Sequence, residues 1–67
     1  MDVIVNNKPE KLTGSDKLYG LLLQLGLAEK KGIAVAVNNT VIARPEWEKC
    51  ALHQNDKITI IRPTQGG

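Results

Sequence analysis

The sequence predicts a single α+β domain in which one helix covers one face of a β-sheet. One segment has leucines at helical spacing, and five short segments that each contain Val, Ile or Thr flank it. Length is the third observation, because 67 residues suffice for one small domain. A chain of this size buries only about 60% of the surface that its extended form exposes, which leaves no room for a deep active site.

The N-terminal segment predicts a β-hairpin. The stretch "DVIVN" at 2–6 has the β-branched composition of a strand, and "EKLT" at 10–13 predicts the second strand. Between them, "NNKPE" is typical of a turn, because Asn tolerates left-handed backbone geometry and Pro9 fixes its own φ.

Residues 14–27, "GSDKLYGLLLQLGL", predict the single helix. Ser15 is the expected N-cap, and Asp16 would lie in the first turn near the positive end of the helix dipole. Gly26 marks the expected C-terminal end. The leucines that share one face, and that we expect on the core side, are Leu18, Leu21, Leu22 and Leu25.

The second half of the chain predicts three more strands. "IAVAVN" at 33–38 and "TVIA" at 40–43 are joined by a tight turn at Asn38 and Asn39. The stretch 44–56 is irregular, with one short helical turn around Trp47, whose ring we expect at the core edge with its N–H on water or a carbonyl. "KITIIRP" at 57–63 is the last strand and leads directly into the C-terminus.

Strand alternation assigns the side chains to two faces of the sheet. The inward set, packed against the leucines, is Val3, Val5, Val35, Val37, Ile58 and Ile60. The outward set is Ile4, Ala34, Ala36, Thr59 and Ile61. The outward set is mostly apolar, which is typical of partner surfaces, although ordinary exposed aliphatic residues are an equal alternative from the pattern alone.

Composition argues against several classes of function. The net charge is +2, the basic residues are scattered, and Tyr19 and Trp47 are the only aromatic residues, which argues against nucleic-acid binding. Cys50 is the only cysteine, and there is neither a signal peptide nor an apolar run long enough to cross a membrane. We therefore expect a cytoplasmic protein with no membrane or nucleic-acid partner.

The candidates for an internal catalytic site are weak. His53 and Cys50 lie three residues apart in a polar stretch, and closeness in sequence is poor support for a catalytic dyad, so a structural thiol and a surface imidazole are expected. The acidic residues form no metal-ligand or paired-carboxylate pattern, and no Walker loop or dinucleotide motif is present. We therefore expect no catalytic residue and no metal, and the terminal Gly66 and Gly67 are what remains.

The segments "AVAVNNTVIARPEW" and "NDKITIIRPTQGG" carry a resemblance to a known family. Together with the element order and length, their Arg-x-x-Trp spacing at Arg44 and Trp47 and the terminal Gly-Gly resemble ubiquitin-like β-grasp proteins, and more closely the ThiS family of sulfur carriers of thiamine (thiazole) biosynthesis. The resemblance covers the whole chain. It implies a mixed sheet of four to five strands with one main helix, in a single carrier domain at 1–67 with 63–67 as a flexible tail.

The resemblance also implies a chemistry for the C-terminus. An E1-like, ThiF-like enzyme adenylates the Gly67 carboxylate with ATP, and sulfur from a cysteine desulfurase or equivalent donor converts it to a thiocarboxylate for a ThiG-like thiazole synthase. The carrier itself binds no cofactor, is not an enzyme, and is expected to be a monomer when free. Gly66 has no Cβ and so fits a narrow channel, while Pro63 ends the last strand.

Ubiquitin-like carriers generally dock through the outer side of the sheet. The resemblance therefore implies a partner-binding surface at Ile4, Ala36, Thr59 and Ile61, with Arg62 as a charge on its rim. Three alternatives stay open at this point. They are a MoaD-like carrier for molybdopterin or another sulfur metabolite, a ubiquitin-related protein modifier, and a plain β-grasp binding module.

Overall fold

A computed structural model describes residues 1–62 of the chain. Its elements in chain order are strand β1 (Asp2–Val5), strand β2 (Lys8–Lys11), helix α1 (Leu18–Gln24), strand β3 (Ala34–Val37), strand β4 (Thr40–Ile42), a 3-10 helix (Arg44–Glu46) and strand β5 (Lys57–Ile61). The strands form one sheet in the order β2-β1-β5-β3-β4. Since β1 and β5 are parallel and the other pairs antiparallel, the sheet is mixed, as predicted.

Two Asn-Asn turns close the two hairpins of the sheet. The backbone φ is positive at Asn6 (49°) and Asn7 (69°), and again at Asn38 (50°) and Asn39 (72°). Positive φ at both central residues is the mark of the type I′ turn, whose twist matches that of the flanking strands. The second turn falls at Asn38 and Asn39 as predicted, and the first takes only Asn6 and Asn7 of the predicted stretch 6–10.

The second strand begins earlier than predicted. We expected Pro9 in the turn and a strand at 10–13, whereas β2 spans Lys8–Lys11 and Pro9 is paired with Ile4. The I′ turn takes only Asn6 and Asn7, so pairing resumes at once. Proline is tolerated there because β2 is an edge strand, and an edge strand can leave a backbone position without a ladder hydrogen bond.

The helix is shorter than predicted at its N-terminus. Ser15 is not the N-cap and Asp16 lies before the helix, because Lys17 is extended and forms a β-bridge with Ala51. The Oγ of Ser15 instead accepts a hydrogen bond from the backbone N–H of Lys17 at 3.0 Å. The helical N–H groups of Leu18 and Tyr19 donate to backbone carbonyls of the segment after the 3-10 helix, so that segment serves as the cap.

The C-terminal end of α1 agrees with the prediction. Gly26 has φ +76°, and its N–H donates to the carbonyl of Leu23 at 3.1 Å. The N–H of Leu27 donates to the carbonyl of Leu22 at 2.8 Å. This pair of bonds is a Schellman motif, in which glycine adopts the left-handed conformation and satisfies free carbonyls of the last turn.

The core lies between α1 and one face of the sheet. Of the predicted leucine face, Leu18, Leu21 and Leu22 are fully buried and Leu25 is partly buried. All six predicted inward residues take part: Val3, Val35, Ile58 and Ile60 are buried, and Val5 and Val37 pack against them partly buried. Neither α1 nor the 3-10 helix combines the length and the apolarity that crossing a bilayer would require.

Candidate functional site

The face of the sheet opposite α1, called the outer face below, contains the predicted partner-binding residues of the strands. Alternation along β5 buries Ile58 and Ile60 and leaves Thr59 and Ile61 exposed. The strand register sets Ala36 beside Thr59 and Ala34 beside Ile61. The structure therefore brings the predicted strand residues to one face, while their role in binding a partner stays a prediction.

Val41 is an outer-face residue that the sequence reasoning missed. The β3–β4 register pairs Val41 with Ala36, and its side chain is 73% exposed. Within residues 1–62, Val41 and Ile61 (61% exposed) are the large hydrophobic residues with the greatest exposure. A signal was present in the sequence, because a two-residue turn at Asn38 and Asn39 fixes which residues of the two strands face each other.

The outer face is mostly apolar, and basic residues lie at the start of β5 and just after its end. Lys57 lies in register with Ile4, and its side chain is exposed. Arg62, the predicted rim charge, is exposed immediately after β5. An apolar centre with a charged rim is the usual layout of a protein–protein interface.

The last strand of the described residues, β5, is the central strand of the sheet. With two strands on each side, β5 carries Ile61 at its end, next to Ala34. The predicted tail residues Pro63, Gly66 and Gly67 lie outside the described residues. Because an extended chain spans at most about 3.6 Å per residue, the terminal carboxylate can lie no more than about 20 Å from Arg62.

The internal candidates show no catalytic arrangement. Burial, reinforced by the charge of Asp56 and opposed by Lys17, raises the pKa of the Cys50 thiol, so Cys50 stays protonated near neutral pH, contrary to what a nucleophilic cysteine needs. The side chain of His53 is exposed, and its ring Nδ1 lies 3.7 Å from Oδ2 of Asp56. Within residues 1–62, no three His, Cys, Asp or Glu side chains come together to hold a metal ion.

The Arg-x-x-Trp element is part of the packing rather than of the outer face. Trp47 is 2% exposed, inside the core rather than at its edge, and its Nε1 donates to the carbonyl of Ile42 at 2.9 Å. The guanidinium of Arg44 lies 4.5 Å from the centroid of the Trp47 ring and donates to the backbone carbonyls of Ala28 and Lys30. These contacts join the 3-10 helix to the loop after α1.

A polar cluster fixes the start of β5. The Nδ2 of Asn38 donates to Oδ1 of Asp56 at 3.0 Å, and the backbone N–H of Lys57 donates to Oδ1 of Asn38 at 3.0 Å. The second carboxylate oxygen of Asp56 accepts from the backbone N–H of His53 at 2.8 Å. Asn38 and Asp56 therefore attach the β3–β4 turn to the loop that precedes β5.

Comparison with known proteins finds one matching family model and similar solved structures. A family model described as the ThiS family matches residues 3–67, a range that includes the terminal Gly66 and Gly67. The crystal structure of a thiamine biosynthesis protein (ThiS) from Geobacter metallireducens is similar, with a TM-score of 0.79, 25% sequence identity and full coverage of both chains.

An NMR solution structure agrees with this likeness. It is of a thiamine biosynthesis protein from Geobacter metallireducens, with a TM-score of 0.77 and 25% sequence identity, and the likeness covers all of this chain and 88% of that one. The comparison with curated proteins gave no match.

Proposed function

Because the chain belongs to the ThiS family, we propose that it is a sulfur carrier protein of thiamine biosynthesis that carries sulfur on the C-terminal carboxylate of Gly67. The observation that carries this proposal is the family match over residues 3–67, which runs to the end of the chain through Gly66 and Gly67. The fold adds support, because the C-terminal segment follows β5, which is the central strand of the sheet.

The chemistry begins with activation of the carboxylate. A carboxylate is a poor electrophile, so an E1-like enzyme first joins a Gly67 carboxylate oxygen to the α-phosphorus of ATP, and pyrophosphate leaves. A sulfide equivalent, derived from cysteine by a desulfurase and released by a thiol reductant, then attacks the acyl carbon, and AMP leaves. The product is a terminal thiocarboxylate, which donates its sulfur to thiazole synthase.

In this series of reactions, the protein itself is recognised by the enzymes and delivers the sulfur. The proposed chemistry places the reacting group on Gly67 and its activation on the E1-like enzyme, while the raised pKa of the Cys50 thiol disfavours the thiolate that a nucleophilic cysteine needs. We therefore infer that the chain is a co-substrate, recycled after each delivery, and that ATP and the sulfur donor bind to its partners.

The outer face is the surface that we propose for docking on the E1-like enzyme. Its support is the set of apolar side chains that the register brings to this face, which includes the exposed Ile61 on β5 and the exposed Val41 on β4. Lys57 at the start of β5 and Arg62 just after its end favour a partner whose rim is acidic. Docking here would place the start of the C-terminal segment at the contact itself, because Ile61 belongs to both.

Intact mass spectrometry tests the proposed function. The chain is incubated with ATP, the E1-like enzyme of the same organism and a cysteine-derived sulfur source. We expect a mass gain equal to the difference between one sulfur and one oxygen atom, and no gain in a variant that lacks Gly67. An unchanged mass with active partner enzymes would contradict the carrier function.

The acceptor enzyme distinguishes the thiamine carrier from its sister carriers. The thiocarboxylate form is offered separately to thiazole synthase and to molybdopterin synthase. We expect loss of its sulfur to thiazole synthase alone. Transfer only to molybdopterin synthase would assign the same tail chemistry to another product, and stable conjugates on lysine side chains would indicate a protein modifier.

A further inference from the structure

The parallel pairing of β1 with β5 ends before β5 does. The register pairs Ile4 with Lys57 and Val5 with Ile58, and the next backbone bond runs from the N–H of Asn6 to the carbonyl of Ile58 at 2.9 Å. If β1 continued, the carbonyl of residue 6 would accept from the N–H of Ile60, as the even spacing of a parallel ladder requires. It does not continue, because Asn6 has φ +49° and turns into the hairpin.

The side chain of Asn6 takes over the bonds that the strand leaves unmade. Its Oδ1 accepts from the backbone N–H of Ile60 at 2.8 Å, and its Nδ2 donates to the carbonyl of Ile60 at 3.3 Å. A primary amide presents the same acceptor and donor as a peptide group, so one side chain replaces a further strand residue. Ile60 is buried, and its backbone groups would otherwise lose free energy by lacking partners.

These two bonds act on the last part of β5. Ile60 is held on its other side by pairing with Val35, and Ile61 by pairing with Ala34. Asn6 therefore completes a two-sided hold on the strand two residues before Arg62, the last described residue. Partners on both sides restrict the orientation of the strand end more than a partner on one side does.

We propose that Asn6 is a positioning residue for delivery of the C-terminus to the partner enzyme, an inference that rests on the proposed carrier function. The amide fixes the end of β5 at Ile60, and so the position from which the C-terminal segment starts when the sheet is docked on the enzyme. Misalignment of a reacting group by about 1 Å can cost about 100-fold in rate. Asn6 lies far from Gly67 in sequence and would act through Ile60 and the end of β5.

The chain offers a matched pair of variants for the test. Asn6→Gly removes the amide and keeps the positive φ that the turn requires. Asn7→Gly is the control, because Asn7 lies in the same turn with φ +69° and Ile60 bonds to Asn6 rather than to it. Asn6→Asp is a second variant that keeps an acceptor for the N–H of Ile60 and loses the donor to its carbonyl.

The measurement is the single-turnover rate of acyl-adenylate formation by the E1-like enzyme with ATP, at a temperature where circular dichroism shows every variant folded. We expect Asn6→Gly to lower the maximal rate about tenfold or more, because alignment is lost. Its half-saturating concentration should change less than about twofold, because the outer face is intact. Asn7→Gly should change neither, and Asn6→Asp should give an intermediate maximal rate.

Amide hydrogen exchange at Ile60 shows whether the bonds are lost. Faster exchange in Asn6→Gly with a maximal rate equal to that of Asn7→Gly would overturn the positioning role and leave the carrier function standing. A higher half-saturating concentration with an unchanged maximal rate would also overturn it, in favour of docking. Absence of acyl-adenylate with the unaltered chain would overturn the carrier function and this inference together.

Discussion

The two faces of β5 show how one strand serves two purposes. Ile58 and Ile60 point into the core and are 1% and 6% exposed, while Ile61 on the outer face is 61% exposed. The same residue type thus stabilises the fold at one position and is left in water at the next. The partner-binding role that we propose for the outer face would cover Ile61, and the variants below test it.

The largest effect on stability should follow from removing a buried side chain on the core side of β5. Ile58→Ala removes a side chain that is 1% exposed, and we expect the free energy of unfolding to fall by about 2–5 kcal/mol. The control, Thr59→Ala, lies on the exposed side and should change it by less than about 0.5 kcal/mol. Urea denaturation followed by circular dichroism measures both. Equal losses in the two variants would contradict the assignment of faces.

A substitution on the outer face should weaken partner binding and leave the stability of the fold unchanged. Ile61→Asp puts a charge on this mostly apolar face, and we expect binding to the E1-like enzyme to weaken about tenfold or more. The free energy of unfolding should stay within about 0.5 kcal/mol of the original value. Surface plasmon resonance and urea denaturation of the same sample separate the two quantities. Unchanged affinity would show that this face is not where the enzyme docks.

Val41→Asp should give a smaller loss of the same kind. Val41 lies on the edge strand β4, one strand further from β5 than Ala36, so we expect its contact at the margin of the interface. An affinity loss of about two- to fivefold, below that of Ile61→Asp, would place the centre of the interface near β5. A larger loss than that of Ile61→Asp would move the centre toward β4.

The smallest effect concerns Cys50, which lies outside β5 and is partly buried against the core. Burial raises the pKa of its thiol in the folded chain, so the fold favours the protonated form. The resulting stability is fully present below the pKa of the unfolded chain and is lost as pH rises through the higher folded pKa. Urea denaturation across alkaline pH should therefore show a decline that is weaker in Cys50→Ser. An identical decline in both would assign it to other groups.

Local patterns were enough to predict most of the sheet. A type I′ turn requires positive φ at two successive residues, which Asn tolerates, so the Asn-Asn pairs indicate both turns. The alternation in "KITII" then separates Ile58 and Ile60 from Thr59 and Ile61, as the structure confirms. Val41 followed from the two-residue turn at Asn38 and Asn39 and could have been placed on the outer face from sequence.

Features that depend on distant partners could not be predicted in this way. Ser15 looks like a helix cap, yet the first helical N–H groups find carbonyls of Trp47 and Cys50 far along the chain. Pro9 looks like a turn residue, and its place in β2 becomes permissible only because that strand lies at an edge. The bonds of Asn6 to Ile60 require the neighbouring positions of β1 and β5, which alternation does not reveal.

The neighbouring positions of β1 and β5 also bear on how the protein folds during synthesis. Within residues 1–62, the first strand, β1, pairs in parallel with the last strand, β5. Contacts between residues so far apart in sequence form slowly, because a long loop must close before they contribute. Because β5 lies between β1 and β3, this five-stranded sheet cannot be completed before β5 has been synthesised. A chain with a finished sheet has therefore been translated at least through its final strand.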